Sequence, residues 1–363
     1  MNKLVLKDRG TQRHAVPPPQ AGERLIIGMD LSRSKWVYAC RWAGQQQRRL
    51  SSPAELGHLQ ALVTEYEHCN VEVIYEACGF GYEIAWWAQQ RGIPVTVVPP
   101  STVEKAPGSV VKTDGRDAGD LALRGERKML KRIHIPSREQ HEYRQLSRTY
   151  TQALKDRRRQ QIRTRLLLQE HGRVVPAGVR SWKAFTQWLT AQSLPSAVQN
   201  CVEELLTLRE AADRSVVRLK TALWNVARLP QYRPLVKALC AQGGIGWMTA
   251  IRFVLEIGDI HRFATADSLP HYLGLTPSEY SSGEITHRGR IRRCGPRMLR
   301  AWMVQCAWQV VNHGNEPVLR RCFERIAERS GRKKAIVAVA RKLALRLRAR
   351  WLEFEAAQHP TEH

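Results

Sequence analysis

The sequence predicts an α/β domain followed by two helical regions, and three observations lead to this prediction. Apolar, β-branched runs alternate with helical patterns over residues 25–98, which is typical of a partly parallel sheet with crossing helices. Between residues 198 and 226, apolar side chains recur every three or four positions, as in a long helix with a coiled-coil-like seam. After Pro230 the patterns are again mainly helical.

Residues 1–22 predict a basic flexible tail. They combine scattered cations with three consecutive prolines and hold too few apolar side chains to fold independently. The first element after them is a short apolar run at 25–30 that ends in Asp30, and a second run at 36–40 follows a polar break. These two runs predict a pair of strands joined by a tight turn.

The next elements alternate between helix and strand. We expect a helix near 54–68, a β-branched strand at 71–75, a glycine-containing turn at 79–81 that opens another helix, and a strand at 94–98. Functional residues of α/β domains gather at the carboxyl ends of strands, which is where Asp30 and Glu76 lie. The sequence therefore predicts one α/β domain over residues 23–135.

The middle region, residues 136–229, predicts two long helices. The segment 143–171 carries a dense run of arginines among leucines, and the segment 198–226 carries the apolar seam. The two helices would pair as a hairpin or oligomerise. The arginine run predicts either a solvated helix face or a contact with nucleic acid.

Residues 230–363 predict a compact, mainly α-helical domain. We expect its last helices near 296–312, 317–329 and 332–357. A glycine turn at 243–246 lies between two helical patterns. Its backbone amides would suit a phosphate, which is a weak signal when taken alone.

The composition favours a polyanionic partner. The 363 residues include 58 Lys and Arg against 33 Asp and Glu, a formal net charge of +25, which is typical of DNA- or RNA-binding proteins and also of ribosomal proteins. The eight cysteines show no zinc-ligand spacing, so we expect reduced thiols. No apolar run reaches the ~20 residues of a membrane-spanning helix, so we expect a cytoplasmic protein without a membrane partner.

Four acids stand in positions that suggest a metal site: Asp30, Glu76, Asp114 and Asp117. Phosphodiester chemistry with two metal ions needs clustered carboxylates, because hard cations such as Mg²⁺ take oxygen ligands. If a helix begins at Asp114, Asp117 lies three positions later and shares its face. Taken singly, Asp114 is also a good N-cap and Asp30 a good turn residue. The four together, in this order, favour the metal site.

The sequences around these acids carry a resemblance to a known family. Gly-Met-Asp-Leu-Ser at 28–32, Tyr-Glu-Ala-Cys-Gly-Phe-Gly-Tyr at 75–82 and Lys-Thr-Asp-Gly-Arg-Asp-Ala at 112–118 resemble the three acidic motifs of DEDD-type insertion-sequence transposases, in the family numbered one-ten. Members of this family are also called bridge recombinases, and pilin-gene invertases are relatives. The resemblance implies an RNase H/RuvC-like N-terminal domain, and Cys78 stands where the family usually has Thr.

The second half of the resemblance lies in the C-terminal region. Ser-Ser-Gly at 281–283, followed by spaced glycines and basic residues, is similar to the family's C-terminal transposase domain. Alignment on the Ser-Gly pair implies Ser282 as the nucleophile, with Ser281 as the second choice; without the resemblance, the tripeptide predicts a plain turn. Arginines match phosphate oxygens bidentately. We expect six of them to bind nucleic acid: Arg288, Arg290, Arg292, Arg293, Arg297 and Arg300.

The resemblance also implies an activity, cofactors and partners. The implied activity is that of a transposase or site-specific recombinase, which cuts and rejoins donor and target DNA by phosphodiester transesterification. Mg²⁺ or Mn²⁺ would bind at the four acids, and a structured noncoding guide (bridge) RNA would select the sites by base pairing. The implied assembly is a homo-oligomer, a dimer that becomes a tetramer in the synapse, located at the nucleoid in the bacterial cytosol. The seam at 198–226 offers the dimerisation element.

Two alternatives stay open at this point. One is a metal-dependent RuvC-like nuclease or junction resolvase, in which the acids carry all the chemistry and Ser282 only shapes a turn; it predicts hydrolysed ends and no covalent intermediate. The other is a non-enzymatic protein that binds RNA or DNA. It predicts that removal of the acids leaves every activity intact.

Overall fold

The computed structural model describes residues 7–8, 17–100, 114–282, 285–291, 295–314 and 316–358. The chain forms two compact units, Met1–Arg138 and Glu139–His363. A mixed sheet in the first unit is followed by helical regions in the second, which confirms this part of the predicted fold class. The finer division into segments 1–22, 23–135, 136–229 and 230–363 stays a prediction.

The first unit is built from a sheet and three helices within its described residues. In chain order the elements are β1 (Lys7–Asp8), β2 (Arg24–Leu31), β3 (Lys35–Trp42), β4 (Gln45–Pro53), α1 (Leu56–Glu65), β5 (Asn70–Glu76), α2 (Glu83–Gln90), β6 (Val95–Val98) and α3 (Asp114–Glu126). The strand order is β1-β4-β3-β2-β5-β6. Strands β2, β3 and β4 pair antiparallel, whereas β5 pairs parallel to both β2 and β6.

Side chains alternate between the two faces of this sheet, as the pleat requires. Leu25, Ile27 and Met29 of β2 belong to a core that includes residues of α1 and α2. Ile26 belongs to a second core with residues of α3, among them Ala118. The sheet is therefore covered by helices on both faces, which explains why β2 is an uninterrupted apolar run in the sequence.

Strand β4 is an element that the sequence patterns do not predict. Its residues are mostly polar, and Leu50 is the member that enters the core around β2 and β3. The strand forms because β3 offers an unpaired edge directly before it, with Tyr38 opposite Leu50 in the register. Pairing with a neighbour overrides weak local propensity here.

The end of the predicted flexible tail lies against the first unit. The indole Nε1 of Trp42 donates a hydrogen bond to the carbonyl oxygen of Pro17 at 3.1 Å, and the His68 ring is hydrogen-bonded to the carbonyl oxygen of Pro19 at 3.2 Å. Pro19 is buried. Residues 17–19 are thus attached to the sheet unit, directly before β2.

The second unit is helical apart from one hairpin within its described residues. Its elements are α4 (Arg138–Glu170), α5 (Trp182–Thr190), α6 (Ser196–Ala227), α7 (Arg233–Cys240), α8 (Trp247–Ile257), α9 (Ser268–Tyr272), β7 (Pro277–Ser282), β8 (Ile285–Ile291), α10 (Arg297–His313), α11 (Pro317–Ser330) and α12 (Arg332–Gln358). None of the described helices is long and apolar enough to cross a membrane.

The predicted apolar seam lies in a single helix, α6. Part of the seam packs within the chain, since Val216, Leu223 and Val226 belong to the main core of the second unit and Val202 belongs to a smaller core with α5. Leu208, by contrast, is 43% exposed. The coiled-coil contact between copies of the chain stays a prediction, and only part of the seam is free for it.

Buried charges connect α4 to α8. Glu256 is 2% exposed and accepts hydrogen bonds from Arg148, the shorter at 3.0 Å, while Arg144 lies 3.7 Å away. Arg252 lies 3.2 Å from the ring centroid of Trp302 and donates to the Ser147 and Thr151 hydroxyls. Burial lowers the pKa of Arg252 to about 9. Such a network fixes helix register because a buried charge without its partners is costly.

A buried hydroxyl pair in the first unit gives a test of this packing. The hydroxyl groups of Tyr38 and Ser52 lie 2.8 Å apart, and burial raises the pKa of Tyr38 from 10.0 to about 12. The unfolded chain releases this proton near pH 10 while the folded chain retains it, so the contribution of Tyr38 to stability is lost as the pH rises from 10 to 12.

We expect Tyr38→Phe to lower the free energy of unfolding by about 1 kcal/mol at neutral pH, because one buried hydrogen bond is lost. Between pH 10 and 12 the deficit should shrink, since the variant lacks the titrating group. Urea denaturation at several pH values measures both effects. A deficit that stays constant across this pH range would contradict the assignment.

Candidate active site

Two of the four predicted acids lie side by side at one end of the sheet. Strands β2 and β5 are parallel, with Met29 opposite Tyr75, so Asp30 and Glu76 are the next residues along each strand. Ile26 of β2 and Ile74 of β5 both face α3, and the two-residue period puts Asp30 and Glu76 on that same face. Both acids are partly buried.

Helix α3 crosses this face at very short range because β2 has a glycine at position 28. A Cβ on Gly28 would overlap the carbonyl oxygen of Ala118 and lie 2.7 Å from the backbone nitrogen of Ala122. No other residue lets the helix backbone approach the strand so closely. The sequence interpretation included Gly28 only as a member of a motif and did not predict this contact.

The direction of α3 brings its first turn to the acids. Gly125, near the end of the helix, lies against Ile26 and Ile74, whereas Ala118 lies against Gly28. Continuing along β2 from Ile26 past Gly28 leads to Asp30, and continuing backwards along α3 leads to its first turn. The helix begins at Asp114, which is the condition under which Asp114 and Asp117 share a helix face, and Asp117 is partly buried one residue before Ala118. The side chain of Asp114 lies outside the described residues.

The thiol of Cys78 reports the charge at this end of the sheet. Burial raises its pKa, a hydrogen bond with the backbone of Phe80 opposes that change, and the carboxylates of Glu76 and Asp30 raise the pKa further. Both carboxylates therefore act on one thiol just past β5. This agrees with the pairing of β2 and β5 and adds Cys78 to the neighbourhood.

The donor set at this place consists of carboxylates, the oxygen ligands that Mg²⁺ and Mn²⁺ prefer. Among the side chains that the structure describes, no three His, Cys, Asp or Glu residues are grouped closely enough to hold a metal ion. Asp114, the fourth acid, is outside that set. The chemistry of the donors thus fits a divalent cation, and the complete ligand set stays a prediction.

The predicted serine nucleophile lies in the hairpin of β7 and β8. The backbones of Ser281 and Ser282 pair with Thr286 and Ile285 at the end of β7. Their side chains lie outside the described residues, as does Gly283. The sequence patterns miss this hairpin because Pro-Ser-Glu-Tyr-Ser-Ser, the sequence of β7, has no apolar alternation to mark a strand.

Four of the six predicted arginines belong to described elements, two to β8 and two to α10. Arg288 and Arg290 are on β8, and their side chains, together with the whole of Arg292 and Arg293, lie outside the described residues. Arg297 is exposed at the start of α10. Arg300 is partly buried and donates to the carbonyl oxygen of Leu273 at 3.3 Å, so it also helps to position the residues that lead into β7.

The glycine turn between α7 and α8 faces a carboxylate of the chain itself. A Cβ on Gly243 would lie 2.8 Å from the Cγ of Glu316. Glu316 accepts hydrogen bonds from Gln242 and Arg346, both at 2.7 Å. An acid on this side of the turn opposes phosphate binding there, and the turn's close packing accounts for its glycines.

Two family models match the chain. The model described as "Transposase IS116/IS110/IS902 family" matches residues 236–324, and a second model, described as "Transposase" and specific to DEDD-type IS110 members, matches residues 27–172. A Sinorhizobium fredii protein with the transposase designation y4qE is 30% identical over 78% of this chain and 71% of its own length. The transposase for insertion sequence element IS1111A of Coxiella burnetii is 27% identical over 75% of each chain.

The contact at Gly28 predicts the outcome of a one-methyl substitution. Gly28→Ala should lower the free energy of unfolding by about 1–3 kcal/mol, because the new Cβ meets backbone atoms of α3 that cannot move away without displacing the helix. DNA cleavage should fall in proportion to the displacement of the first turn of α3. Thermal unfolding and a cleavage assay measure the two effects.

Gly57→Ala is the matched control. Gly57 lies in α1, and a Cβ there would meet nothing within 4 Å. This variant should be as stable as the wild type or slightly more stable, because alanine favours the helix. Equal losses in the two variants would show that the short approach of α3 to β2 is not the reason for the effect.

Proposed function

The chain belongs to the IS116/IS110/IS902 family of transposases, which cleave DNA and transfer strands, and we propose that it does so with two separate groups of residues. One is an acidic group that holds divalent metal, Asp30, Glu76, Asp114 and Asp117. The other is a serine group of Ser282 and the arginines around it. The observation that carries this proposal is that each matched segment contains one complete group: residues 27–172 the acids, and residues 236–324 the serines and arginines.

The acidic group would hold Mg²⁺ or Mn²⁺ in an RNase H/RuvC-like domain. When bound, such an ion would neutralise charge on phosphate oxygens. The protein's own contribution is the rigid placement of the ligands: Asp30 and Glu76 end two paired strands, and the pair at the start of α3 is positioned by the contact at Gly28. The adjacent ends of β2 and β5 support the proposal, because a cation between Asp30 and Glu76 would offset the repulsion of their carboxylates.

The serine group would carry the covalent step. The Ser282 oxygen attacks the scissile phosphorus, so that a Ser–O–P bond forms while the bond from phosphorus to the leaving deoxyribose oxygen breaks. The proton lost by the serine is matched by the one that the leaving oxygen gains. A hydroxyl of the partner strand then attacks the same phosphorus and regenerates the serine. Each exchange conserves the number of phosphoester bonds, so the reaction is a transesterification.

The arginines would stabilise the charge that develops on the phosphate in both exchanges. Arg297 is exposed at the first turn of α10, only 15 positions after Ser282. Ser281 is the second choice for the nucleophile. It adjoins Ser282 in β7.

A structured bridge RNA from the element would select donor and target DNA by base pairing. The formal net charge of +25 supports a protein that binds nucleic-acid backbones and recognises duplex shape, while the RNA recognises the sequence by base pairing. The chain would work in the bacterial cytosol at the nucleoid. It would act as a homo-oligomer, a dimer that forms a tetramer when two sites are brought together.

The covalent step gives the first functional test. Wild-type protein, its element-derived RNA, Mg²⁺ and end-labelled DNA should yield a protein–DNA adduct that survives denaturation. Ser282→Ala should abolish the adduct and lower cleavage by a factor of at least about 10³, as loss of a nucleophile does. Ser281→Ala is the matched control and should keep both. Cleavage that survives Ser282→Ala but not Asp30→Ala would assign the protein to the metal-dependent RuvC-like nucleases.

A second test asks whether the two groups act across subunits. Asp30→Ala and Ser282→Ala proteins should each be inactive, and co-assembled they should regain part of the activity if the acids of one subunit serve the serine of another. Strand exchange in mixed assemblies measures this rescue. An absence of rescue in assemblies verified to contain both proteins would contradict a composite site.

A further inference from the structure

A basic loop follows the last turn of α3, which lies away from the acids. Four cations occupy six consecutive positions without any acid: Arg127, Lys128, Lys131 and Arg132. All four are exposed. Their side chains make no hydrogen bond or ion pair with any residue that the structure describes. We name residues 127–132 the basic loop.

The backbone of the basic loop is held in a defined conformation. The backbone amide of Lys128 donates to the carbonyl oxygen of Gly125, and the backbone amide of Met129 donates to that of Arg124, each at 3.0 Å. These are the two hydrogen bonds of a Schellman cap. Ile133 then donates to Val97 in β6 at 2.8 Å. The loop is therefore attached at both ends, to α3 and to the edge strand of the sheet.

The backbone of Lys128 adopts a conformation that glycine adopts more readily than lysine. Its φ is 55°, in the left-handed region, at the capping position where glycine is usual. A lysine there costs conformational energy, and it gains no partner within the described chain. Cations at a helix C-terminus do interact with the helix dipole, but this effect is confined to the last turn and does not account for Lys131 and Arg132.

The basic loop borders a groove of about 520 Å³ at the edge of the sheet. Lys128 and Arg132 line it together with Arg24. Its one acid among the described lining residues, Glu72, is already neutralised by Arg24 at 2.7 Å. The groove thus presents unpaired positive charge. Met129, next to Lys128 in the loop, is 69% exposed. Its apolar side chain could pack against the sugars of a nucleic acid.

We propose that the basic loop and its groove bind the phosphate backbone of the DNA duplex that flanks the cleavage point. The inference rests on the proposed function, in which the acids at the start of α3 hold the cleaved phosphate. Because α3 rises about 1.5 Å per residue, the first turn of α3 and Lys128, just past its last turn, are held about 15–20 Å apart by one rigid helix. A duplex that reaches both is the DNA that is cut, whereas a guide RNA need not reach the acids.

The separation predicts where the contact falls on the DNA. Phosphates of one strand follow one another at about 3.4 Å along the duplex axis, so the phosphate that Lys128 contacts should lie about five base pairs from the cleaved one. The contact should be independent of sequence, because it involves the backbone alone.

The test compares Lys128→Gly/Arg132→Gln with Arg214→Gln/Lys220→Gln, which removes two exposed cations from α6. Glycine suits the left-handed backbone, so the first variant should unfold at the wild-type temperature or slightly above it. The full-length chain with its element-derived RNA is titrated with duplex DNA of the element's end. We expect about tenfold weaker DNA binding and a salt slope reduced by about two in the basic-loop variant, and little change in the control.

Methylphosphonate substitution maps the contact, with the cleavage point located by the wild-type protein. Neutral phosphates about five base pairs away should weaken binding by the wild type and have no effect on the basic-loop variant. Equal losses in the control variant, or a loss of RNA binding with DNA binding intact, would overturn the proposal. If the contact maps to a quite different distance, DNA binding by the basic loop stands. The proposal that the cleaved phosphate lies at the acids would then be contradicted.

Discussion

The first unit depends on the close contact between α3 and β2 at Gly28. Because that position has no Cβ, Ala118 and Ala122 reach the strand backbone, and the helix is fixed in height and direction over the sheet. One end of α3 then meets the ends of β2 and β5, and the other end meets the edge of β6 through the basic loop. A single steric constraint thus determines the position of two charged surfaces of opposite sign.

The second unit is organised by buried charge as well as by apolar packing. The inward stripe of α4 includes Arg144, Ser147 and Thr151, which are polar yet buried. They are satisfied by Arg252 and Glu256 of α8. Ion pairs of this kind add little net stability compared with apolar residues, but they penalise every wrong register by leaving a charge without its partner. This explains how a helix of such polar composition keeps a defined place in a core.

The same features determine how much was predictable from the sequence. Strands β2, β3, β5 and β6 follow from their apolar runs, because burial on a regular element leaves a regular pattern. Strand β4 and the β7–β8 hairpin depend on pairing between polar segments, which leaves no such pattern. The close approach of α3 to Gly28 and the left-handed backbone of Lys128 likewise cannot be predicted from the sequence, since each depends on tertiary contacts.

Net charge is a poor guide to where a polyanion binds, because a sequence does not reveal which cations are already paired. Arg41, Arg157 and Arg346 form ion pairs within the chain, and Arg252 is enclosed by aromatic rings. These residues contribute to the formal charge and cannot bind a phosphate without breaking a contact. The basic loop differs from these residues in that its four cations are exposed, lie within six positions and are unpaired among the described residues. Pairing and exposure, more than the count of cations, therefore decide which cations are available to bind a phosphate.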